Sequence, residues 1–88
     1  MQKHVKVYFD YYGYGEEDLI FCEVCGAKAV DIAHIKARST FGSKRKEEQD
    51  NISNLISLCR SCHYKYDFEN KITQEDLQEI HNLNLKND

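Results

Sequence analysis

Cys22-Glu23-Val24-Cys25, then Asp31-Ile32-Ala33-His34-Ile35, then Asn54-Leu55-Ile56-Ser57-Leu58-Cys59-Arg60-Ser61-Cys62-His63: two Cys-x-x-Cys pairs bracket a histidine-bearing segment and use up all four cysteines of the chain. Each pair offers two thiolates from one tight turn, the arrangement a tetrahedral zinc ion takes. Two disulfides are the competing use. The chain opens Met1-Gln2-Lys3-His4-Val5-Lys6, not on a long apolar stretch, so a reducing cytosol is the expected compartment and metal the expected use of the thiols. A chain of 88 residues fits one domain and buries too little apolar surface to be comfortably stable without help, which a structural zinc would supply. Residues 26–58 between the pairs make a long linker, so a sizeable element must leave the metal and return. No apolar run is long enough to span a bilayer.

The net charge of -3 argues against a nucleic-acid partner until its distribution is considered. Residues 26–46 hold Lys28, Lys36, Arg38, Lys44, Arg45 and Lys46 against Asp31 alone, a local charge of +5, while the other six cations face fourteen acids, giving -8. A positive field beside the central histidine suits a phosphate backbone, and the acidity elsewhere limits indiscriminate binding. Taken alone, Lys44-Arg45-Lys46 reads as a solvated loop tip.

The chain has no repeat, no low-complexity stretch and no proline. Residues 3–15 carry Tyr8, Phe9, Tyr11, Tyr12 and Tyr14 and read as a short helix or turn whose aromatics pack on a small core rather than stack on bases. Residues 29–35 read as a strand with Val30, Ile32 and His34 on one face and Asp31, Ala33 and Ile35 on the other. The polar stretch Lys36 to Asp50 is expected to be a loop, and Asn51 to Leu58 a turn followed by a short strand. A helix should begin near Arg60 or Ser61, with serine as its cap, pairing His63 with Asp67 on one face and Tyr64 with Phe68 on a core-facing neighbour. Thr73-Gln74-Glu75-Asp76 resembles a capping box with Asp in place of Glu and opens a second helix through Leu77 and Ile80. His4 and His81 have no supporting neighbours in sequence and receive no role.

Cys-x-x-Cys, Asp-Ile-x-His-Ile, the two asparagines of Asn51-Ile-Ser-Asn54-Leu-Ile and Leu-Cys-x-x-Cys-His together resemble the HNH endonuclease family, in particular small phage and prophage members with a four-cysteine zinc. The resemblance covers residues 21 to about 68. It implies a small α+β, zinc-stabilised domain with a ββα-metal core: two antiparallel strands joined by a loop, then a helix, gripping one catalytic divalent ion. The organisation expected is a single domain over 1–88, with 1–20 as an N-terminal extension, 21–70 as the zinc-bound core and 71–88 as a C-terminal helix. The long linker is then the hairpin.

By the same resemblance the chain is a metal-dependent endonuclease hydrolysing phosphodiester bonds of DNA. His34 would be the base, a role for which an unperturbed imidazole is suited near neutrality. Asn54 would fix the loop and the orientation of His34. His63 and Asp67 match the family's paired ligands for the catalytic Mg²⁺, Mn²⁺ or Zn²⁺, and Cys22, Cys25, Cys59 and Cys62 would hold the structural Zn²⁺. Lys36, Arg38, Lys44, Arg45 and Lys46 would contact DNA, Arg38 best because a guanidinium grips two phosphate oxygens. The setting implied is cytoplasmic, in a bacterial host or phage-encoded, as a monomer or weak dimer, with DNA and phage packaging proteins as partners.

One position departs from the pattern. Many relatives carry two consecutive histidines, the first a metal ligand and the second the base, and here the first is Ala33, which cannot coordinate an ion. Asp31, two strand residues or about 6.6 Å away, reads as a support of the ligands rather than a substitute. The sequence leaves open an inactivating substitution, a naturally weakened member, or a DNA-binding descendant that no longer cuts. A non-catalytic zinc-stabilised DNA-binding or phage-assembly module is the alternative function.

Overall fold

The computed structural model describes residues 2–36 and 46–86, with the backbone alone for Lys46 and Glu47. At its centre β1 (Asp31–His34) runs antiparallel to β2 (Leu55–Leu58), with Asp31 opposite Leu58, Ile32 opposite Ser57, Ala33 opposite Ile56 and His34 opposite Leu55. Successive side chains of a strand point to opposite faces, so this register divides the hairpin cleanly. Ala33, Ile56 and Leu58, with Ile35, enter one cluster with Cys22, Cys59, Cys62 and Leu77, packed by Val24, Tyr66 and Ile72. Leu55 and Ile32 enter another with Tyr8 and Ile20, packed by Val7, Phe9 and Tyr12. The two-stranded sheet is buried on both sides, which explains why all four residues of β2 are buried.

Helix α1 (Lys3–Tyr12) covers the second of those faces and ends at Gly13, whose φ of 74° is the left-handed cap that glycine adopts without strain. The segment expected to be an N-terminal extension thus supplies part of the core, and its aromatics pack as expected: Tyr8 is buried and Tyr12 lies 4.8 Å from it, ring to ring. Between β1 and β2 the described residues contain a short helix, α2 (Lys46–Gln49), where only loop was expected, followed by a 3₁₀ turn (Ile52–Asn54). Asn51 caps that turn by accepting a hydrogen bond from the Ser53 amide, 3.0 Å.

Helix α3 (Arg60–Asp67) covers the cysteine-lined face. Its cap is not serine but Cys59, whose sulfur accepts a hydrogen bond from the Cys62 amide at 3.4 Å. That choice sets the rotation of the helix. With Cys62 turned inward toward the other thiols, Tyr66, four residues on, also faces the sheet and its hydroxyl donates to the Ile35 carbonyl. Tyr64 and Phe68 consequently point outward, 55% and 71% exposed, and not toward the core as their spacing suggested.

Helix α4 (Gln74–Lys86) begins with the expected reciprocal cap: the Asp76 amide donates to Thr73 Oγ1 at 3.0 Å and the Thr73 amide to Asp76 Oδ2 at 3.1 Å. It docks through Leu77 and His81, both fully buried. His81 Nδ1 lies 2.9 Å from Glu23 Oε1 and its Nε2 meets the Ile52 carbonyl at 2.6 Å. The same Glu23 carboxylate accepts hydrogen bonds from the Tyr8 hydroxyl at 2.6 Å and the Asn84 amide at 2.9 Å, so one side chain joins α1, α4 and the first cysteine turn. Burial alone would raise the Glu23 pKa, but the hydrogen bonds from His81, Asn84 and Tyr8 outweigh it and hold the carboxyl below its ordinary value. Replacing His81 by alanine takes the imidazole partner from a buried carboxylate, leaves the Ile52 carbonyl without that partner and opens a cavity, and is expected to cost about 3 kcal/mol in urea unfolding of the metal-loaded protein. A loss under about 0.5 kcal/mol, typical of surface sites, would contradict this account.

Candidate functional site

The first cysteine pair sits on a turn closed by the Gly26 amide donating to the Cys22 carbonyl at 2.9 Å, and Gly26 takes φ of 81°, a conformation open to glycine without penalty. The second pair straddles the start of α3. All four sulfurs come within 4.8 Å of one another, and Cys25 Sγ lies 3.6 Å from Cys59 Sγ. Four thiolates bound at about 2.3 Å to a tetrahedral ion stand about 3.8 Å apart, whereas a disulfide needs about 2.05 Å, so the quartet fits a metal and not a pair of bridges. The Cys62 amide aimed at Cys59 Sγ pulls that thiol down to about 7, favouring the thiolate a metal requires.

On the α3 side of the hairpin, His63 stands between two carboxylates. Its Nδ1 is 2.9 Å from Asp31 Oδ2 and its Nε2 is 2.9 Å from Asp67 Oδ2. His63 and Asp67 do share a face, one helical turn apart, and Asp31 reaches His63 from β1. Lys71 pairs with Glu69 instead of Asp67. Two ligands bound at about 2.1 Å at right angles stand about 3.0 Å apart, so the donor atoms Nε2 and Oδ2 are spaced for one divalent ion. Ala33 lies on this same face of β1 but is 8% exposed and packed in the cysteine cluster.

His34 points to the opposite face, toward α1. Its Nε2 is 2.8 Å from Asp50 Oδ1, and its ring centroid is 4.6 Å from that of His4. Asn54 is buried immediately before β2. Its Oδ1 accepts from the Lys36 amide at 2.8 Å while its Nδ2 donates to the carbonyls of Gln49 at 2.9 Å and Lys36 at 3.2 Å. One amide side chain therefore ties Lys36, just past β1, to Gln49 at the end of α2. Asn54→Ala leaves these buried backbone groups unpaired and is expected to cost about 1–3 kcal/mol, with faster amide hydrogen exchange at Lys36. Unchanged exchange there would mean that Lys36 is held by something else.

Lys36 is exposed. Arg38, Lys44 and Arg45, and the side chain of Lys46, lie outside the described residues. Three residues that sequence spacing did not single out belong to this assembly: His4 and Asp50 against His34, and Glu23 between the cysteines. No local pattern marks them, because their partners lie 30, 16 and up to 61 residues away.

A ββα arrangement with four convergent thiols at its base, positioned to hold a metal, and a histidine at the end of its first strand defines a small finger-like domain. The family model described as HNH endonuclease matches residues 22–69, more than half of the chain, and the protein belongs to that family of nucleases. It is also 40% identical over 42 residues to a mitochondrial DNA mismatch repair protein mutS homolog of Sarcophyton glaucum, a stretch that is 48% of this chain and 4% of that protein. The chain thus spans a small fraction of this relative's length. No solved structure matches. Among the described residues no helix is long and apolar enough to cross a membrane.

Proposed function

We propose that this chain is a DNA endonuclease domain, residues 1–88, that hydrolyses phosphodiester bonds with one catalytic divalent ion and is impaired at that ion by Ala33. The observation that carries the reading is the placement of four motif side chains on the family's ββα frame: His34 at the end of β1, Asn54 tying Lys36 to Gln49, and His63 and Asp67 one turn apart on α3, across β1 from His34. The four thiolates hold a structural zinc, a borderline-soft ion suited to sulfur.

In this reading water attacks the phosphorus in line, His34 takes its proton, and the bond to the 3′-oxygen breaks, that oxygen gaining a proton from solvent. Asp50, facing Nε2, leaves Nδ1 of His34 as the nitrogen that receives the proton. His63 and Asp67 would hold the divalent ion, which when bound offsets negative charge on the phosphate and the leaving oxygen. Asp31, hydrogen-bonded to Nδ1 of His63, fixes the ring so that Nε2 faces Asp67. Lys36 and Arg38 would grip the scissile strand, and Lys44, Arg45 and Lys46 the flanking phosphates.

Two protein ligands bind an ion weakly, so Ala33→His is expected to raise nicking of supercoiled plasmid in Mn²⁺ or Mg²⁺ by at least about tenfold at limiting metal. Circular dichroism and zinc content control for the larger side chain at a packed position. A second reading, a DNA-binding module without turnover, is favoured by the packing of Ala33, which fills a would-be ligand position with core. If Ala33→His folds and binds DNA yet does not nick, that second reading holds and the nuclease reading falls.

A further inference from the structure

On the face of β1 turned away from His63, three metal-ligating side chains converge from distant parts of the chain. His4 comes from the first turn of α1, His34 from the end of β1 and Asp50 from the turn between α2 and the 3₁₀ turn. One ring nitrogen from each imidazole and one carboxylate oxygen lie within 4.8 Å of one another. His4 is buried, and the side chains of His34 and Asp50 are 11% and 12% exposed. We propose that His4, His34 and Asp50 form a transition-metal site, distinct from the thiol quartet and from the His63–Asp67 pair, that takes a divalent cation of the zinc class.

The donor set selects the ion. Two imidazoles and one carboxylate suit zinc and its first-row neighbours, whereas magnesium and calcium favour oxygen ligands and water. Three protein ligands leave a fourth position for water. Tetrahedral ligands at about 2.0–2.1 Å stand about 3.3–3.4 Å apart. The 2.8 Å contact between His34 and Asp50 therefore opens by roughly half an ångström on binding while the wider-spaced donors close, movements within reach of side-chain rotation. Because its ligands come from α1, β1 and the Asp50 turn, the ion would fasten α1 to the hairpin. Resting on the nuclease reading, occupancy also takes a lone pair of the His34 ring that hydrolysis needs, so a zinc-class ion bound here holds the enzyme off.

The test titrates Co²⁺ into the zinc-loaded full chain carrying His63→Ala and Asp67→Ala, which removes the α3 pair and leaves the sulfurs filled. One equivalent is expected to bind with visible absorption lacking thiolate charge-transfer character, and His4→Ala and Asp50→Asn are each expected to weaken it at least about tenfold. Retention of one zinc and of the circular dichroism spectrum reports that these variants fold. Without substitution at the site, a second equivalent of Zn²⁺ should shift one imidazole ¹⁵N resonance in each of His4 and His34 and leave those of His81 in place. Co²⁺ affinity indifferent to both substitutions, or His4 and His34 resonances that stay still at saturating zinc, overturns the site. The readout is metal binding, so a chain that takes this ion but never nicks as Ala33→His loses the nuclease reading and keeps the site.

Discussion

Cys59→Ser is expected to abolish cooperative thermal unfolding and leave a chain without dispersed amide resonances. Structural zinc in small thiolate sites contributes about 10–16 kcal/mol to folding, more than the net 5–15 kcal/mol typical of a whole domain. Here the metal ligands are not an appendage to the core. Cys22, Cys59 and Cys62 are buried in the same cluster as Ile35, Ile56, Leu58 and Leu77, so among the described residues four of the five fully buried aliphatic side chains pack with the sulfurs. Each of those aliphatics is worth roughly 1.5–3 kcal/mol when buried, and that gain is realised only while the cysteine turn and α3 are held against the hairpin. Cys59 also caps α3, so its loss removes a ligand and a cap together. Stripping the metal from the parent chain with a strong chelator should reproduce the effect, and adding zinc back should reverse it. A cooperative transition that survives metal removal, with the zinc assay at zero, would show that the apolar core suffices without the quartet.

That dependence explains why so much of the fold was legible in the chain and where legibility stopped. The sulfur spacing, the alternation expected over residues 29–35 and the Thr73–Asp76 cap are local patterns; the structure realises the first and last, and the strand over Asp31–His34 only. Helical spacing alone does not set the phase of α3, because it pairs Tyr64 with Phe68 as readily as Cys62 with Tyr66, and only the convergence of the cysteines decides which pair turns inward. Glu23 reads as a spacer between two ligands, yet its carboxylate organises α1, β2 and α4, accepting even the Ser57 amide at 3.3 Å. Its partners lie 15 to 61 residues away, and no periodicity links them. His4 and His81 looked solitary for the same reason: burial and partnership are properties of tertiary packing, which a window of sequence does not carry.

In the Ala33→His background, His34→Ala is expected to lower plasmid nicking by about 10²- to 10⁴-fold, the range removed with a general base, while salt-dependent DNA binding and the zinc held by the four cysteines stay unchanged. The geometry makes this test sharper than a simple loss of activity. His34 faces α1 and Asp50, whereas His63, Asp31 and Asp67 lie on the other side of β1, so removing the imidazole leaves the candidate metal ligands and their mutual contacts in place. Asp50→Asn separates orientation from proton transfer: an amide in place of the carboxylate keeps a partner at Nε2 but removes its charge, so nicking should fall by less than in His34→Ala. The acidic limb of the pH–rate profile supplies the remaining discrimination. A general base acts only when deprotonated, so nicking that depends on His34 should rise with pH along that limb, and His34→Ala should lose the rise. Nicking that persists in His34→Ala with the same pH dependence would assign the proton acceptor elsewhere, and the burial of His34 between His4 and Asp50 would then be explained by the metal site alone.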